Sequence, residues 1–153
     1  MKTFAIIGCL FLGSAAFAQD ITIKDQSSSQ TNLAYSGQHT SYYDNGNVKE
    51  VLSFSEGKLN GEAIKYYENG QKMEAGQYEN NMKFGLWTRF HKNGALAAEA
   101  SYKNDKKDGT WMVYGEKGEK LFQMEYKDGE KTGNWYQWDE TGKVVKTTSY
   151  HTM

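Results

Sequence analysis

The sequence predicts an all-β protein, a single elongated antiparallel meander of five 24-residue β-hairpin repeats. Three observations predict it. Gly37, Gly61, Gly85, Gly109 and Gly133 recur at a constant interval of 24 residues, and self-similarity at such a period marks a repeat architecture. Counted from each of these marker glycines, an aromatic stands five residues on (Tyr42, Tyr66, Phe90, Tyr114, Trp138) and another seventeen on (Phe54, Tyr78, Tyr102, Tyr126, Tyr150). A second glycine stands nine on (Gly46, Gly70, Gly94, Gly118, Gly142), and Asp44-Asn45-Gly46, Glu68-Asn69-Gly70 and Lys92-Asn93-Gly94 read as turns. Glycine and asparagine accept positive φ at little cost, which is what such turns require.

In chain order, residues 1–18 read as a secretory signal. Lys2 gives a short positive start, Phe4 to Leu12 an apolar core, and Ala16-Phe17-Ala18 a small-x-small cleavage site before Gln19. The apolar stretch is shorter than the roughly 20 residues a membrane span needs. Ile6-Ile7-Gly8-Cys9 loosely resembles a lipoprotein box, but a cut there leaves few apolar residues before Cys9, and the hydrophobic run continues past it. Export is therefore expected without a lipid anchor, to the periplasm, the envelope or the medium. Cleavage takes 18 residues from 153 and removes Cys9, the single cysteine, so no disulfide braces the mature chain. It also removes Lys2, leaving 17 Lys plus Arg against 19 Asp plus Glu. This mildly acidic balance lacks the basic footprint of a nucleic-acid binder. Residues 19–36 follow as a polar lead-in or N-terminal cap, outside the repeat columns.

The repeat domain is expected over residues 37–153. In each copy the second strand alternates: Phe122, Met124 and Tyr126 point one way and Gln123 and Glu125 the other, as do Leu96, Ala98, Ala100 and Tyr102 against their neighbours. The copy after Gly61 is weaker, with Lys72, Glu74 and Gly76 on the face that should be apolar. Cross-strand partners share a face, so equal parity on both strands predicts a three-residue loop ending in a left-handed glycine. On that register Met112, Tyr114, Phe122, Met124 and Tyr126 form one buried layer, closed by a turn at Glu116-Lys117-Gly118. Trp87, Trp111 and Trp135 then fall on the opposite face, about 10 Å apart for two strands per repeat. Either a bulge near the marker glycine turns them inward or the other connection covers them, or they form an aromatic binding surface; they are the candidate site.

Ser55–Asn60, Glu79–Phe84, Lys103–Asp108 and Lys127–Thr132 read as short charged connections, which makes successive hairpins neighbours. The last strand is an edge kept polar by Lys146, Thr147, Thr148 and Ser149.

Tyr126-Lys127-Asp128-Gly129-Glu130-Lys131-Thr132-Gly133-Asn134-Trp135 has the form Tyr-x-x-Gly-x-x-x-Gly-x-Trp. Tyr102 to Trp111 repeats it with Asp105 for the middle glycine, and Tyr78 to Trp87 with Asn81. This resembles the MORN (membrane occupation and recognition nexus) repeat, in the variant common in bacterial proteins, over about Gly37 to Tyr150. The first two copies depart from the pattern, with His39 and Ala63 in place of tryptophan. The resemblance implies a twisted sheet of hairpins that binds proteins or lipids and carries no catalytic residues. Some bacterial relatives of this class are labelled antitoxin components.

Catalytic chemistry finds no foothold in the residues. His39, His91 and His151 stand in three different columns, which suggests neither a metal site nor a histidine-centred catalytic group. The mature chain has no cysteine nucleophile and no Gly-x-Ser-x-Gly elbow. Phosphate-loop and dinucleotide glycine patterns are absent, so no cofactor is expected. The reading is a non-enzymatic exported module whose partner is a protein, in an antitoxin- or immunity-like role if the resemblance carries that far. The alternative is a cell-wall glycan or lipid surface, met by stacked aromatics. No residue pattern specifies an oligomeric state.

Overall fold

The computed structural model describes residues 34–151; the signal-peptide reading and most of the lead-in lie outside them. Ten strands follow one another: β1 Gly37–Tyr42, β2 Val48–Ser55, β3 Lys58–Tyr66, β4 Lys72–Glu79, β5 Met82–Phe90, β6 Leu96–Lys103, β7 Lys106–Tyr114, β8 Lys120–Lys127, β9 Glu130–Trp138 and β10 Val144–Tyr150. They form one sheet in sequence order, and each strand pairs antiparallel with its chain neighbours. The expected all-β meander of five hairpins is therefore observed. Every pairing is local in sequence, so each repeat is held by the ones beside it.

The two edges of the sheet carry different turns. On one edge the expected three-residue loop occurs in all five copies. Gly118 N donates to Gly115 O at 3.0 Å and Gly115 N to Glu119 O at 2.9 Å, with Gly118 at φ 85°. On the other edge the six-residue connections shrink to two residues, because the strands run on through their ends. Glu56-Gly57, Asn80-Asn81, Asn104-Asp105 and Asp128-Gly129 all have positive φ at both positions. This is the mirror-image turn whose twist matches that of the strands it joins.

Turns on both edges also tie one repeat to the next. On the two-residue edge, Asn81 N donates to Leu59 O and Leu59 N to Asn81 Oδ1, at 2.9 and 2.7 Å. On the three-residue edge, Tyr43 Oη donates to Tyr66 O, Tyr67 Oη to Phe90 O, and His91 Nε2 to Tyr114 O, at 2.7, 2.8 and 3.1 Å. Asn45, Asn69 and Asn93 bond the next copy's turn in the same way. The fourth copy has Gly115 and Lys117 at these two places and makes neither staple.

Two bulges per repeat decide which side chains share a face. Near the loop, Tyr114 opposes Lys120, as the equal-parity register requires, but the next pair is Val113 with Phe122. Leu121 is the extra residue, and from there every pairing changes parity. The predicted layer is corrected accordingly. Phe122, Met124 and Tyr126 share a face with Trp111 and Val113, while Met112 and Tyr114 go to the other face. The second bulge lies at the marker glycine. Glu125 opposes Thr132 and Gln123 opposes Tyr136, so Met124 faces three residues, Gly133, Asn134 and Trp135. Gly133 has φ 61° and the other four markers are also positive, a region that residues with a Cβ enter only with strain.

The core is thin because no second layer covers either face among the described residues. The buried apolar side chains are Ala63, Trp87 and Tyr126, at 4, 4 and 8% exposure. The polar-looking second copy now makes sense: Gly76 lies under the Trp87 indole, and a Cβ there would overlap the ring. Glu74 on the same face pairs with Lys83 at 3.3 Å. We expect Gly76→Ala to destabilise the fold by about 2 kcal/mol through overpacking, read as a lowered urea midpoint. An unchanged midpoint would show that the ring can move aside at no cost.

Candidate functional site

The tryptophan column, Trp87, Trp111 and Trp135, runs down the first face. Each ring sits between the seventeenth-position tyrosine of the preceding copy and that of its own. Tyr78, Trp87, Tyr102, Trp111, Tyr126, Trp135 and Tyr150 form a continuous file with centroid separations of 5.1, 6.4, 5.2, 5.4, 5.1 and 4.7 Å. All six contacts are edge-on or tilted, the arrangements that the ring quadrupoles favour. Each indole Nε1 donates across the repeat boundary to a backbone carbonyl, of Gln77, Ser101 and Glu125, at 3.2, 3.1 and 3.0 Å. The column is therefore turned inward to packing, with Trp87 buried and Trp111 and Trp135 half-buried.

A lysine caps each step of the file. Lys83, Lys107 and Lys131 stand two residues before their marker glycines, which gives Lys-x-Gly-x-Trp three times. Their ammonium groups lie 3.8, 4.1 and 4.7 Å from the centroids of Trp87, Trp111 and Trp135. They also lie 5.2, 4.7 and 5.2 Å from Tyr102, Tyr126 and Tyr150. Each such contact is worth about 0.5–1 kcal/mol at a partly exposed site. In the first two copies Tyr35 and Leu59 take the lysine's place, and Tyr35 meets Phe54 edge-on at 5.7 Å. The end of the lead-in thus joins the array.

The second face carries the fifth-position aromatics, and its most uneven feature escaped the sequence reading. On β5 the outward row is Met82, Phe84 and Leu86, exposed by 36, 43 and 55%. Register puts them opposite Glu79, Gln77 and Ser101. At the corresponding places β3 has Lys58, Asn60 and Glu62, β7 has Lys106, Asp108 and Thr110, and β9 has Glu130, Thr132 and Asn134. Comparing columns copy by copy would have found the row, since Phe84 and Leu86 replace side chains that are polar in every other copy, and Met82 one that is polar in all but the first, which has Ala34. Elsewhere on this face Tyr114 donates to Glu99 Oε2 at 3.0 Å, and burial, then this bond, raises its phenol pKa. Of the histidines, His39 is exposed and His91 is engaged as a turn staple.

Comparison with known protein families matches the MORN repeat variant over residues 35–56, 59–80, 85–104 and 131–151. These segments cover more than half of the chain. The chain belongs to the MORN repeat variant family. No curated protein matches it. MORN repeats are generally interaction or binding modules. The matched segments leave out residues 105–130, yet that stretch forms β7, β8 and their three-residue loop as the other copies do.

Two measurements probe the aromatic file. Trp111→Phe keeps much of the ring but leaves the Ser101 carbonyl without its indole donor, and we expect a loss of about 1–2 kcal/mol by denaturant unfolding. Burial, and next the charge of Glu74, push the Tyr78 phenol up to about 12, whereas an unfolded chain ionises near pH 10. Between those values the folded state holds more protons than the unfolded one, so stability falls as pH rises through that window and is complete below it. The urea midpoint should drop between about pH 10 and 12, and Tyr78→Phe should make the drop shallower. Tyr102, raised by the same causes, should preserve part of it.

Proposed function

We propose that this chain is a non-enzymatic, exported interaction module that binds a protein partner through the second face of its sheet, centred on β5. The row of Met82, Phe84 and Leu86 carries the reading. The architecture does not ask for apolar side chains there, because β3, β7 and β9 carry charged and polar ones in the same register. An apolar cluster rimmed by polar groups, here Glu79, Gln77 and Ser101, is the anatomy of a protein contact. The strand beneath it is backed by Trp87 on the opposite face, which fixes the row's geometry before a partner arrives and lowers the ordering cost of binding.

The leader pattern of residues 1–18 supports a site of action beyond the cytoplasm. A blocking role of the antitoxin or immunity kind is one form that such partner binding takes. The glycan or lipid alternative draws on Trp87, Trp111 and Trp135. A stacking ligand would have to reach those rings past Lys83, Lys107 and Lys131, whose ammonium groups already occupy the cation–π positions.

A photo-crosslinking residue placed at Leu86 should yield a discrete protein adduct in envelope extracts, and the same residue at Thr110, its counterpart one copy on, should not. The double change Phe84→Glu, Leu86→Glu should reduce capture at least about tenfold, since central apolar anchors carry most of an interface's energy, while leaving the unfolding midpoint in place. Equal adducts at both positions, or capture indifferent to the two glutamates, would sink the proposal.

A further inference from the structure

Within the chain, the same receptor is built and filled three times. It consists of a carbonyl at the sixteenth position of one copy and the tyrosine ring beside it. The occupant is the next strand's Lys-x-Gly-x-Trp. Gln77 and Tyr78 receive Trp87, Ser101 and Tyr102 receive Trp111, and Glu125 and Tyr126 receive Trp135. In the fifth copy the receptor residues are Ser149 and Tyr150, at the same positions relative to Gly133. Tyr150 already contacts Trp135 on its inner side at 4.7 Å. Among the described residues β10 pairs with β9 alone. An open cavity of about 420 Å³ lies over the end of the β9–β10 pair, lined by Thr132, Gly133 and Asn134 of β9 and by Ser149, Tyr150 and His151.

We propose that this edge is a second binding site, taking an extended segment of a partner protein that carries Lys-x-Gly-x-Trp. The segment adds antiparallel to β10, as an eleventh strand. Its backbone bonds the outward N–H and C=O groups of β10, the general mode of strand addition to a sheet edge. Its indole donates to the Ser149 carbonyl and lies against Tyr150, and its lysine lies over its own indole, as Lys107 does over Trp111. Side chains at the binding edge are small and polar, Thr147, Thr148 and Ser149. A strand without the tryptophan gains only the backbone bonds, so the aromatic sets the specificity. The site is separate from the row on β5 and does not rest on it.

The test uses the whole chain, labelled with ¹⁵N, titrated with a synthetic peptide of the Lys106–Tyr114 sequence. Amide shifts should concentrate at Thr147–His151 and Thr132–Asn134, and the peptide with Trp111→Ala should bind about tenfold more weakly or worse. Ser149→Pro in the protein, tolerated on an edge strand, removes an outward donor and should abolish the shifts at β10 with the far-ultraviolet spectrum retained. Phe84→Glu with Leu86→Glu should leave peptide binding intact, which separates this site from the other. Equal binding by the two peptides, or shifts spread away from β10, would overturn the assignment. So would concentration-dependent self-association that Ser149→Pro removes, which would give the edge to a second copy of the chain.

Discussion

In a sheet one layer thick, nothing above or below a strand holds it down, so cohesion has to run along the sheet. The interaction that supplies it here is an indole N–H reaching across a repeat boundary to a backbone carbonyl, with the ring wedged between two tyrosines. That reach exists only because the marker glycine lets one residue of the earlier strand face three of the later one. The 24-residue period is, at bottom, the distance between successive glycines that permit this arch. The lysines laid over the rings and the glycine beneath Trp87 follow from the same placement.

The architecture was legible because its signals are local and redundant. Turn glycines, the paired aromatic columns and strand alternation each point to the hairpin, and five copies agree. The face assignment was not legible, for a specific reason. The bulged position holds Lys49, Met73, Ala97, Leu121 and Val145 in the five copies, four of them apolar like the strand residues around them, so nothing in their chemistry marks the extra residue. One extra residue there reverses parity for the rest of the strand, and a backbone insertion of that kind leaves no compositional trace. The reading that a bulge turns the tryptophans inward put that bulge at the marker glycine, whereas the one that changes parity is at Leu121, near the loop. Its layer of Met112 and Tyr114 with Phe122 lacked the count of how many bulges intervene.

The candidate surfaces divide in the same way. Trp87, Trp111 and Trp135 stood out because they recur, and recurrence in a repeat protein is the mark of scaffolding as much as of recognition. Met82, Phe84 and Leu86 went unnoticed because they do not recur. A departure confined to one copy shows itself only when each position is compared down its column. In an array, common residues build the surface and exceptional ones give it a place to be distinctive.

The boundaries between repeats are not equally secured. The first is fastened on the loop edge by Tyr43 and Asn45 but has Ala63 where an indole would stand; the last has Trp135 but Gly115 and Lys117 on the loop edge. The second and third have both fastenings. Local opening starts where the fewest contacts must break, so the array should loosen from either end inward, like a strip riveted along both margins only at its middle. β5 lies in that middle, between the two doubly fastened seams. A partner gripping its outer face would hold the one part of the sheet that keeps its shape while the ends breathe.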